Sequence, residues 1–92
     1  MKCRRKPIEL ECWPVEKILC GKSGPDWVAE NLNQASLYIE REVGHSPSLQ
    51  VKTQEGWLIA PHDGYIIQGV EGEIWPIGAS QFTKTYDLIE EK

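Results

Sequence analysis

The sequence predicts an α+β domain: a small, mostly antiparallel sheet of five to seven strands packed by one main helix. Three observations carry that expectation. Short runs alternate apolar and polar residues, separated by turn residues, which is the mark of half-buried strands. One stretch after Pro25 carries apolar residues at helical spacing. The chain has 92 residues, 40% of them hydrophobic, enough for one core and too few for two. Residues 1–92 therefore read as a single globular domain.

From the start, "RKPIELECWPV" alternates, with Ile8, Leu10 and Cys12 facing one way and Glu9, Glu11 and Trp13 the other. Pro7 and Pro14 fall at the margins of that strand, where proline is tolerated. "EKILCGKSG" is ambiguous between a short helical turn and extended chain. In "SGPDWVAENLNQAS", Ser23 or Gly24 can cap and Pro25 suits the first helical position. Asp26 favours the positive end, and Val28, Leu32 and Ala35 share one face over about three turns.

"SLYIEREVG" returns to alternation, with Leu37, Ile39 and Val43 opposite Tyr38, Glu40 and Glu42. "GHSPS" is a loop. "LQVKT" and "WLIA" flank "QEG" as a hairpin. After the turn "PHDG", "YIIQGV" and "EIWPI" form a second hairpin around Glu71-Gly72, with Gly72 supplying a positive φ. Ser80 offers a cap for a single helical turn, and "YDLIEEK" closes with a short strand and a charged tail.

The net charge of −4 is unevenly spread. Lys2, Arg4, Arg5 and Lys6 supply four of the ten basic residues, leaving six against fourteen acids. An acidic body argues against general nucleic-acid binding, and the basic edge suits a small anion. Cys3, Cys12 and Cys20 are odd in number and lack a CxxC pair. With only His45 and His62 beside them, neither a metal site nor a disulfide framework is expected. The N-terminal "MKCRRKPIELECW" has no apolar run of signal-peptide kind, and no segment has membrane-spanning length. A soluble, cytoplasmic protein without cofactor is the expectation, gaining stability as a homodimer or higher homo-oligomer.

Three pieces occur in a characteristic order: "RRKPIELECWPV", "LQVKTQEG" and "GYIIQGVEGEIWP…F…TYD". Together they resemble a widespread family of small phage and prophage proteins. That family opens with a YRKKPVxxEAxQW-like strand and ends with a GDYIIxGVxGExYPCKPDxFxxTYE-like block. The likeness covers the first fourteen residues and most of the chain from Leu49. In the terminal block it rests on Tyr65, Ile66, Ile67, Gly69, Val70, Gly72, Glu73, Pro76, Phe82, Thr85 and Tyr86. Between Val15 and Ser48 the match is one of type alone. The chain departs from the pattern at Asp63-Gly64, where the family has Gly-Asp, and at Ile77 to Ser80, where it has Cys-Lys-Pro-Asp. The resemblance implies a phage-encoded accessory protein acting in the cytoplasm of the infected bacterial host.

No HExxH, GxSxG, P-loop or GxGxxG pattern is present, and "GVEGE" leads into strand-like residues without the helix a phosphate loop needs. His62-Asp63 are adjacent, and adjacent strand or turn residues point apart. The chain is therefore read as a non-enzyme. Its seven Trp and Tyr rings are many for one small core, and exposed rings mark binding surfaces. The expected function is anti-defence, by sequestration of a small anionic nucleotide-type immune signal at a dimer or sheet-edge pocket. Arg4, Arg5 and Lys6 would meet phosphates, and Trp57, Tyr65 or Trp75 would stack a base. The alternatives are a protein-binding inhibitor of a host defence enzyme and a virion or morphogenesis protein.

Overall fold

The computed structural model describes residues 1–5, 8–21, 24–41 and 43–89; Lys2, Arg4, Arg5, Ile8, Glu9, Asp87, Leu88 and Ile89 are described by backbone alone. Among the described residues, eight strands and three helices follow one another as β1 (Lys2–Arg5), β2 (Ile8–Pro14), α1 (Val15–Leu19), α2 (Asp26–Asn33), β3 (Leu37–Glu40) and β4 (Ser48–Thr53). Then come β5 (Gly56–Ala60), β6 (Tyr65–Gln68), β7 (Ile74–Ile77), α3 (Ala79–Thr85) and β8 (Asp87–Ile89). The α+β class holds, but the expected single sheet does not. The strands divide into a five-stranded sheet, β7-β6-β2-β1-β8, and a three-stranded sheet, β3-β4-β5, each with antiparallel pairing throughout.

Two hydrophobic clusters explain the division. The first joins Ile66 and Ile74 of the larger sheet to Leu37, Leu49, Val51 and Ala60 of the smaller one, with Val15, Ile18 and Val28 from α1 and α2. The second gathers Cys3, Cys12 and Ile67 under Phe82 and Tyr86. Ile66 and Ile67, consecutive in β6, are both fully buried because each meets a different cluster. A strand covered on both faces reads as an unbroken apolar pair, which is how "YII" stands in the sequence.

Several local expectations need correction. Lys2–Arg5 is itself a strand, β1, paired antiparallel with β2 with Arg5 opposite Ile8. The main helix, α2, has eight residues, nearer two turns than three. Pro25 flanks it in extended conformation, and Asp26 begins it. Val28 is buried, but Leu32 is partly open and Ala35 stands beyond the helix with φ 61°. Val43 is fully exposed, because β3 ends at Glu40. The last helix starts after Gly78, with no side-chain cap from Ser80. The Gly72 turn is as expected, with φ 89°. The capping role of Ser23 and the charged tail from residue 90 lie outside the described residues.

Candidate ligand-binding site

The three-stranded sheet hides one face and opens the other. Period two sends Leu49 and Val51 of β4 into the first cluster and turns Gln50 and Lys52 outward. Register then builds the open face row by row. Tyr38, Gln50 and Ile59 stand side by side across β3, β4 and β5, and Lys52 pairs with Trp57 in the next row. Tyr38 is 55% exposed and Trp57 51%, unusual values for large rings on a sheet.

With Ala35 and Gln50, these two rings line a cavity of about 350 Å³. A second cavity of about 240 Å³, lined by Glu40, His45, Ser46, Ser48, Gln50 and Ile59, adjoins it through Gln50. The Gln50 amide donates a hydrogen bond to the Glu40 carboxylate, which fixes its orientation between the two cavities. The groove thus has an aromatic end and a hydroxyl- and imidazole-bearing end.

Local chemistry holds the walls in place. The chain leaves α2 through Ala35 in the left-handed region. The Ser36 N–H donates to the Asn31 carbonyl at 2.9 Å and the Ala35 N–H to that of Leu32 at 3.2 Å. This is a Schellman ending built on alanine, where glycine is the usual residue. The Lys52 N–H then donates to the Ser36 carbonyl at 2.8 Å, tying the helix end to the sheet. On the far side, the Thr53 hydroxyl donates to the Gly56 carbonyl at 2.8 Å and accepts from the Glu55 N–H at 3.1 Å. That brace sets the tight turn from which Trp57 emerges.

Of the six residues expected to bind, the five that are described do not lie together. Trp57 lies on the open face of the smaller sheet. Tyr65 and Trp75 lie on the α3 side of the larger sheet, packed against the second cluster, with Tyr65 stacked on Phe82. Trp75 also borders a groove of about 370 Å³ with Glu55 and Glu73. Arg4 and Arg5 are in β1, three strand spacings from β7, or about 14 Å, on the sheet that Trp57 does not belong to. Lys6 lies outside the described residues. Tyr38 and Gln50 were the residues that sequence reasoning passed over. Alternation had already turned both of them away from the core.

Cys20, His62, Asp63, Glu16 and Ser46 border another open cavity, of about 430 Å³. No cluster of three or more His, Cys, Asp or Glu suited to a metal occurs among the described residues. Cys3 and Cys12 lie in the second cluster. Burial pushes the Cys3 thiol up, and it pushes the Cys12 thiol up strongly, aided by the neighbouring Cys3. Both stay protonated and sealed in the second cluster.

Among the described residues, no helix is long and apolar enough to cross a membrane. No protein-family model, no curated protein and no solved structure matches the chain.

Proposed function

We propose that the chain is a non-catalytic, phage-encoded accessory protein that counters a bacterial defence by sequestering a small anionic nucleotide-type signal. The observation that carries this reading is the pair of open rings, Tyr38 and Trp57, framing one cavity on the exposed sheet face. A planar base stacks on such rings for about 1–3 kcal/mol per base, without a requirement for its identity. Gln50 stands between the rings to meet polar atoms of the base edge, and Lys52, one row along, meets a phosphate. The cavity volume falls at the lower end of the range for small-molecule sites, about 300–1,000 Å³. The sequence resemblance supplies the biological setting.

Calorimetry against a panel of cyclic dinucleotides and ADP-ribose-type nucleotides tests the reading. The expected result is saturable binding to one of them, with Trp57 fluorescence quenched. Trp57→Ala should weaken that binding about tenfold or more, as loss of one stacking ring implies. Absence of heat with every nucleotide removes the proposal. So does recovery from host lysate of a stoichiometric protein partner in place of a nucleotide, which supports masking of a host enzyme instead.

A further inference from the structure

The edge of the smaller sheet is unprotected in a way the other edges are not. β7, at one end of the larger sheet, carries Pro76, and β8, at the other, has three residues among those described. β3 packs against α2 and ends in Glu40. β5 packs against β7 on its inner side, but it has none of the in-strand devices that natural edge strands use to stay unpaired: no proline, no charge and no bulge in Gly56–Ala60. Trp57 and Ile59 are 51% and 68% exposed on the open face, and Leu58, on the packed side with the buried Ala60, is still 41% exposed.

The hydrogen-bond phase of that edge follows from the ladder. The Lys52 N–H points to β3, so Gln50 and Lys52 address β3 while Leu49, Val51 and Thr53 address β5. Their partners Gly56, Leu58 and Ala60 therefore point back to β4. The N–H and C=O groups of Trp57 and Ile59 point outward, away from the sheet.

We propose that β5 pairs antiparallel with β5 of a second copy about a two-fold axis at Leu58, and that the partner completes the ligand groove. In that register Leu58 faces Leu58 of the partner subunit, and Trp57 faces Ile59 of the partner subunit. The four outward backbone groups on each strand then meet their complements, and each open-face pair is aromatic against β-branched, a favourable cross-strand combination. No charged residue enters the paired segment, so two acidic chains meet where neither carries charge.

Pairing joins the two small sheets into one of six strands with a continuous open face. The row Tyr38, Gln50, Ile59 is then extended by Trp57 of the partner subunit, so each groove is walled partly by the other copy. The dimer is expected whether or not a nucleotide binds.

Sedimentation of the nucleotide-free protein over about 0.1 to 100 µM tests the proposal by mass action. Wild type should move from the 10.5 kDa monomer to twice that mass as concentration rises. Ile59→Pro removes an outward N–H while sparing the β4 ladder, and Leu58→Lys sets two like charges directly opposite each other. Both should weaken dimerisation about tenfold or more while keeping the monomer's circular dichroism. The proposal fails if wild type is monomeric throughout, or if either variant, still folded, dimerises as tightly as wild type. Because no nucleotide is present, this outcome is independent of the binding test above.

Discussion

Tyr65 stacks on Phe82 with ring centroids 4.0 Å apart and planes inclined by 21°, and Phe82 stacks in turn on Tyr86 at 5.4 Å. The three rings join the larger sheet to α3 and to the residue that ends it. They account for much of the side-chain packing that closes the second cluster.

Replacing Phe82 with Ala should therefore cost about 3–4 kcal/mol, since it deletes the middle ring and leaves a cavity. Tyr65→Phe keeps the stack and should stay within about 0.5 kcal/mol of wild type. Urea unfolding followed by tryptophan fluorescence measures both. A Phe82→Ala loss under about 1 kcal/mol would mean that α3 is not a structural lid.

Gly64 is buried at the turn before β6, where an added Cβ would run into the carbonyl oxygen of Ile77. That obstacle is backbone, held in the β6–β7 ladder, so it cannot swing aside as a side chain would. The Gly64 carbonyl also accepts the Val15 N–H at 3.0 Å, fixing the start of α1. Gly64→Ala should destabilise by about 1–3 kcal/mol, the range for overpacking, read as a lower melting temperature. An unchanged melting temperature would show that the turn rearranges freely.

The buried thiols set an alkaline limit on stability. Both Cys3 and Cys12 have folded-state values raised above the ordinary 9.0, chiefly by burial. Below pH 9 both states hold the thiol protons and stability is fully present. As pH rises past that point the unfolded chain loses protons that the folded chain keeps, so stability falls, by up to about 1.4 kcal/mol per pH unit for each group. Unfolding free energies measured from pH 7 to 10.5 should decline above pH 9, and Cys12→Ala should flatten the decline. In the folded protein at pH 8, a thiol reagent should label the exposed Cys20 quickly and leave the other two slow.

The sequence was most legible where one face of a strand is open. In "SLYIE" the alternation identified strand and faces together. It was least legible where both faces are covered. Tyr65 and Trp75 looked like surplus rings because nothing in the local pattern announces a second cluster beneath α3. The split into two sheets was hidden for a related reason: alternation says that a strand has two faces, not which strands share a plane. The β1–β2 pairing escaped notice because "RRKPIE" carries none of the Gly or Asn residues that signal a tight turn. Tyr38 was legible as outward-facing. Its partnership with Trp57 depends on the β3–β4 register, which only the folded chain displays.

Ile66 and Ile67 close the first and second clusters respectively, although they are neighbours in one strand. The two apolar compartments therefore cannot loosen independently around β6, because shifting that strand disturbs both at once. Amide hydrogen exchange should register this as a shared opening free energy for Ile66 and Ile67, close to that of global unfolding. The β5 amides of Trp57 and Ile59, facing away from β4, should exchange orders of magnitude faster in the monomer and slow down as protein concentration is raised. Exchange thus reads the rigid centre of the fold and its proposed assembly edge in a single experiment.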